Sequence, residues 1–271
     1  MVTQEQRKRQ LAREKFLRQQ QRRTALRRKA RARNAVIASV LGVILVGSLA
    51  LYTTGVLKDD DKANASSEAS PSASPSAVED PCEKPAEGAV KTQTWKKEPA
   101  ITIDKSAKYT MKLATTCGDI DLALKASAAP HTVNSFAFLA GKGYFDHTKC
   151  HRLTTNGIFV LQCGDPTGSG SGGPGYTIPD ENLKDTSLKA NVYPAGTVAM
   201  ANTGQANSGG SQFFLVYEDS QLPPSYTPFG TVSETGMAVL KKIAAAGENT
   251  GAGDGAPNAT VVIDKATVAK S

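Results

Sequence analysis

The sequence predicts a mainly antiparallel β domain, closed or nearly closed, with two helices, preceded by a basic tail, one transmembrane helix and a disordered linker. Three observations predict it. Beyond residue 99 the apolar residues fall into many short runs, with only two segments at helical spacing, and many short strands tend to close because closure removes exposed edges. Residues 35–57 form a 23-residue stretch without a single charge. The charge itself is divided along the chain. Of a net +7 over 271 residues, residues 1–34 carry thirteen Lys or Arg against Glu5 and Glu14, a local +11 that leaves −4 for the rest.

Taken in order, the tail reads as a topology determinant. Leu11, Phe16, Leu17 and Leu26 scatter around a helix, so a membrane-lying amphipathic helix is poorly supported. Arg-rich arms can neutralise phosphates, but this one has no interleaved aromatics or base-reading motif, and no nucleic acid is expected. The uncharged run is long enough for a helix to cross a bilayer core. A cleaved signal peptide would have a shorter apolar part and a short basic start, so the run reads as a signal anchor. Positive flanks stay in the cytoplasm, which puts the N-terminus inside and everything after Leu57 outside.

Residues 58–98 read as an Ala/Ser/Pro-rich flexible linker, because thirteen of the eighteen residues from Ala63 to Asp80 are Ala, Ser or Pro and such a composition buries too little apolar area to order itself. The folded domain is expected over 99–271. Within it, the segments around Cys117-Gly118, Tyr109–Thr116 and Asp119–Leu124, alternate polar and apolar like a strand pair on a tight turn. Pro130 near the start, Val133, Phe136 and Ala140 at helical spacing and Gly141 as a stop predict a first helix. Met237, Leu240 and Ala244, with Gly247 as a cap, predict a second over Thr235–Ala246. The runs Ile158–Leu161, Thr197–Ala201, Phe213–Tyr217, Pro228–Val232 and Thr260–Asp264 read as strands.

Several site types are set aside. There are only three His and no Cys-x-x-Cys pair, which disfavours a structural zinc site. Gly168–Gly173 lacks the Lys-Ser or Lys-Thr ending of a phosphate-binding loop and reads as a mobile glycine loop. Ser208 and Ser211 lack a Gly-x-Ser-x-Gly setting.

What stands out is a set of strings in fixed order: Pro130-His-Thr-Val-Asn-Ser-Phe136, Cys150-His-Arg-Leu153, Phe159-Val-Leu-Gln-Cys-Gly-Asp165, Gly172-Gly-Pro-Gly-Tyr-Thr-Ile178, Val198-Ala-Met-Ala-Asn-Thr-Gly204, Gly209-Gly-Ser-Gln-Phe-Phe214 and Pro228-Phe-Gly230. Together, over about Tyr109–Ala246, they resemble the cyclophilin family of peptidyl-prolyl cis-trans isomerases. The resemblance implies a closed eight-stranded antiparallel β-barrel capped by two α-helices, and rotation about X–Pro bonds in proline-containing polypeptides without cofactor or metal. It also implies catalytic roles for Arg152, Phe159, Gln162, Asn202, Gln212 and Phe214, and substrate binding by Val160, Ala201, Leu222 and Tyr226. A monomeric catalytic domain is expected, assisting the folding of secreted or envelope proteins. The alternative is a catalytically weak module of the cell envelope that binds proline segments.

The chain departs from the family pattern twice. The segment Thr154–Ile158 is about two residues longer than usual, which affects the register of its hairpin. Gln221 stands where many members have Trp, and Tyr226 where they have His. Cys150 and Cys163 flank the hairpin that carries Arg152 and Phe159, either as a disulfide or as buried thiols, with Cys82 and Cys117 as the remaining pair. Because Gln221 removes an indole donor that the family uses for cyclosporin, inhibition by cyclosporin is expected to be weak. A proline-peptide turnover assay checks this, and inhibition at nanomolar concentrations would contradict it.

Overall fold

The computed structural model describes residues 80–189 and 191–270. The tail, the uncharged run and the first part of the linker lie outside these residues. Among the described residues no helix is long and apolar enough to cross a membrane. In chain order the strands are β1 (Tyr109–Thr115), β2 (Gly118–Leu124), β3 (Thr148–Lys149), β4 (Arg152–Asn156), β5 (Ile158–Cys163), β6 (Val192–Tyr193), β7 (Thr197–Met200), β8 (Phe213–Val216), β9 (Ser220–Gln221), β10 (Pro228–Val232), β11 (Asp254–Gly255) and β12 (Val262–Lys270). The helices are α1 (Pro130–Gly141) and α2 (Glu234–Ala245).

Ten of these strands form one curled antiparallel sheet in the order β11-β4-β5-β8-β7-β10-β2-β1-β12-β3, while β6 and β9 pair separately. The sheet is mainly antiparallel and curled, with two helices, as expected, and the segment leading from β3 into β4 bonds to both sides, Cys150 N–H donating to Val261 O and His151 N–H to Gln162 O. Only Cys150 and His151 separate β3, at one end, from β4, beside the other.

The β1–β2 pair alternates as its sequence requires. Met111, Leu113, Ile120 and Leu122 are buried, while Lys112 and Asp119 meet across the outer face at 2.6 Å. Gly118 closes the turn at φ 126°, a conformation open to glycine. Helix α1 buries Val133, Phe136, Leu139 and Ala140, and Phe136 packs its ring against Phe145, Phe213 and Phe229 at centroid distances of 5.3, 5.5 and 4.6 Å. Helix α2 starts at a cap absent from the sequence reading, the Ser233 hydroxyl accepting from the Gly236 N–H. Its inward face is carried by Leu240 and Ile243, with Met237 and Ala244 only partly buried.

In the middle of the sheet both faces are apolar. Strand β8 turns Phe213 and Leu215 into the main core and Phe214 and Val216 into a second, smaller cluster with Val160, Tyr193 and Ala199. Alternation with period two divides one apolar run between two surfaces.

Residues 80–98, expected to belong to the flexible linker, instead lie along the domain. This segment has no regular secondary structure, yet Glu83 N–H donates to Thr116 O, Ala86 N–H to the Asp264 carboxylate and Trp95 N–H to Pro174 O. Trp95 meets Phe138 edge-on at 5.1 Å and Tyr144 at 5.9 Å. Cys82 is disulfide-bonded to Cys117, and Cys150 to Cys163. The composition argument fails here because the strap draws its order from backbone hydrogen bonds and one indole rather than from an apolar run.

The glycine loop is also tied down. Asp165, fully buried, accepts hydrogen bonds from the Thr167 N–H and hydroxyl, the Ser169 hydroxyl and the Gly172 N–H. A side chain at Gly172 would overlap this carboxylate. Burial pushes the Asp165 carboxyl up, but the donors outweigh it and hold it at about 2.

Two outcomes are expected. A fragment beginning at Pro99 should unfold in urea with roughly 2–5 kcal/mol less stability than one beginning at Asp80, the usual cost of losing a native disulfide. Equal stabilities would show that the strap contributes nothing. A depressed carboxyl stabilises the fold above its unfolded pKa and loses that contribution as pH falls through its folded value. Asp165→Asn should therefore lower stability at neutral pH by about 1–3 kcal/mol and remove part of the loss seen between pH 3.8 and about 2.

Candidate active site

The β4–β5 hairpin sets Arg152 directly opposite Gln162, and the β5–β8 pairing sets Gln162 opposite Phe214. These registers gather a cation, an amide and an aromatic ring at one place. Between them lies a pocket of about 170 Å³ lined by Arg152, Ile158, Val160, Gln162, Ala201, Asn202, Phe214, Leu222 and Tyr226. Drug-sized ligand sites are usually ~300–1,000 Å³, so this pocket suits one small ring. Its apolar side is the second cluster. Tyr226 stands edge-on to Phe214 at 5.4 Å and is held by Tyr193, whose hydroxyl donates to Tyr226 O and accepts from Tyr226 N–H.

The polar side is a chain of hydrogen bonds. Arg152 Nε and Nη2 donate to Asp254 Oδ1 and Oδ2 at 2.7 and 2.8 Å, and Nη1 donates to Gln162 Oε1 at 3.1 Å. Gln162 Nε2 donates to Gln212 Oε1, and Gln212 Nε2 to Gly172 O, each at 2.9 Å. The carboxylate of Asp254 raises the pKa of Arg152, against the opposing effect of burial. The guanidinium is thus a fixed positive charge at the rim of an apolar hole. Asn202 is braced by its Nδ2 donating to Ser225 O at 2.8 Å, and Ala201 N–H donates to Gln212 O.

Eight of the ten residues singled out from sequence line this pocket. Gln212 lies beside it, on a wider groove of about 690 Å³ that runs along the glycine loop and shares Gln162, Ala201 and Asn202 with the pocket. Phe159 does not line it. On a strand whose Val160 and Gln162 face the pocket, Phe159 must point the other way, where it packs against the main core with its ring 6.0 Å from Tyr217. The same alternation brings in Ile158, which the sequence reading missed although its spacing from Val160 and Gln162 marked it. Asp254, 102 residues from Arg152, had no local signal. Gln221, on β9, pairs with Val192 of β6 and is exposed and outside the pocket.

The family model described as cyclophilin type peptidyl-prolyl cis-trans isomerase/CLD matches residues 110–268, extending past the sequence motifs to include the hairpin of Asp254. Two proteins, each described as a probable peptidyl-prolyl cis-trans isomerase B, are similar: one from Mycobacterium leprae, 52% identical over 166 residues, and one from Mycobacterium tuberculosis, 48% identical over 165 residues. Each match covers 58% of this chain, and 56% and 53% of those proteins, so the chain spans about half the length of these relatives. A crystal structure of a Cryptosporidium parvum cyclophilin type peptidyl-prolyl cis-trans isomerase in the presence of the dipeptide Ala-Pro is similar at a TM-score of 0.50 and 27% identity, covering 60% of this chain and 99% of that one. With a family match across more than half its length and the family's motifs gathered around one pocket, the chain belongs to the cyclophilin-type peptidyl-prolyl cis-trans isomerase family.

Proposed function

We propose that this chain catalyses cis-trans rotation about X–Pro bonds in secreted or envelope polypeptides, and that it does so on the outer side of the cytoplasmic membrane, tethered by residues 35–57. The observation that carries the catalytic reading is the Arg152 guanidinium at the mouth of a ring-sized apolar pocket. Rotation about an X–Pro bond is slow because amide resonance must be broken, with a barrier near 20 kcal/mol. Catalysis needs a site that favours the twisted amide over either planar form.

Each group has a part in this. The apolar wall of Val160, Phe214, Leu222 and Tyr226, with Ile158, holds the pyrrolidine ring. Arg152 donates toward the prolyl carbonyl and the nitrogen that loses conjugation as the bond turns, where positive charge in a partly desolvated site is most effective. Gln162, Gln212, Asn202 and the backbone of Ala201 anchor one side of the peptide, so that rotation is confined to one bond. The relative crystallised in the presence of Ala-Pro supports a proline-containing ligand.

The outward location is supported by the uncharged 23-residue run behind a tail of +11 and by two disulfides, which persist in oxidising compartments. Arg152→Ala in the full chain should lower turnover of a proline peptide on the order of 100-fold, the scale of losing one transition-state donor. Unchanged turnover would overturn the mechanism. Peptide binding without turnover in the unsubstituted chain would make it the binding module instead.

A further inference from the structure

Arg152 has five N–H donors, and the structure shows where three of them go: two to Asp254 and one to Gln162. Two remain, one on Nη1 and one on Nη2. The residue that decides this orientation comes from the far end of the chain. Strand β11 pairs with β4 so that Asp254 stands opposite Thr154, two residues along from Arg152 and on the same face. The Thr155 N–H donates to Gly253 O at 2.9 Å, which fixes the neighbouring backbone.

The hairpin that delivers Asp254 is built around a carboxylate of its own. Glu248 is buried and accepts from the Thr250 N–H and hydroxyl, both at 2.6 Å, and from the Gly253 N–H at 2.8 Å. Asn249 and Ala256 exchange hydrogen bonds across its base. Asp254 therefore sits on a braced support, and its two oxygens match the planar fork of the guanidinium.

We propose that Asp254 is a positioning residue for the isomerase reaction: its carboxylate locks the guanidinium plane of Arg152 so that the remaining Nη1 and Nη2 donors face the pocket. The Gln162 contact alone leaves the guanidinium free to turn about its last side-chain bonds. With Asp254 in place, the donors meet the twisted amide without prior reorganisation, the condition under which a donor contributes most to a transition state. This inference rests on the isomerase reading above.

The test is steady-state turnover of a proline peptide by the full chain carrying Asp254→Ala, Asp254→Asn or Asp254→Glu, with urea midpoints measured alongside. Asp254→Ala should lower kcat about 10-fold with KM within about two-fold, less than the ~10²-fold that a 1 Å misplacement can cause. Asp254→Glu should recover part of the loss, because two oxygens are again present. Asp254→Asn should not, because its amide would turn a donor toward a donor. Midpoints should stay close to that of the unsubstituted chain, since the pair is exposed on both sides. A kcat for Asp254→Ala equal to or above that of the unsubstituted chain overturns the inference, as does a loss confined to KM or an equal rescue by Asn and Glu. If Arg152→Ala lowers turnover on the order of 100-fold while Asp254→Ala leaves kcat unchanged, the isomerase reading stands and the inference falls. Absence of turnover in the unsubstituted chain overturns both.

Discussion

The alternation of side chains along β5, β8 and β7 governs most of what this molecule can do. Each of these strands must satisfy two apolar surfaces at once, the main core on one side and the smaller cluster behind the pocket on the other. In β8 the sequence Phe213-Phe214-Leu215-Val216 does this without a polar residue. A shift of register by one residue would exchange the two faces. Phe214 would then enter the core and Phe213 the pocket, while Gln162 would lose its place opposite Phe214. The packing of the interior and the composition of the site are therefore one constraint, enforced by hydrogen-bond register.

On the polar side the organisation is serial. Asp254, Arg152, Gln162, Gln212 and the carbonyl of Gly172 form a line of contacts across four parts of the chain: the C-terminal hairpin, the β4–β5 hairpin, the approach to β8 and the glycine loop. The far end is secured in turn by Asp165, whose carboxylate gathers the loop from within. Each link in the line is a donor matched to an acceptor. The Cys150–Cys163 bond ties the two strands carrying Arg152 and Gln162 just beyond those residues.

How much of this could be read beforehand depended on the range of the signal. Both helices were legible, the second to within a residue at each end, because Pro130, Gly141 and the spacing of Val133, Phe136 and Leu240 are local facts. The site was legible as a family pattern, since the strings around Arg152, Asn202 and Gln212 survive as contiguous text. Three things were not. The two-residue strands β3, β6, β9 and β11 are too short to show a period. The strap of residues 80–98 has the composition of a linker, and its order comes from partners such as Thr116, Pro174 and Asp264, far along the chain. Asp254 is one carboxylate in a Gly-rich stretch, and only the pairing of β11 with β4 makes it a partner of Arg152. Phe159, given a catalytic role by the family pattern, packs against the main core, since it alternates along β5 with Val160, which lines the pocket.

The Cys82–Cys117 bond joins the beginning of the strap to the turn between β1 and β2. Covalent continuity gives it a mechanical meaning. Tension arriving along the backbone from the N-terminal side passes at Cys82 into Cys117 and so into the β1–β2 turn, leaving the hydrogen bonds of residues 83–98 unloaded. In the sheet order, β2 is separated from β5 by β10, β7 and β8. A pull on the N-terminal side thus enters the body several strands away from Arg152 and spreads through the sheet's ladders before it reaches the pocket.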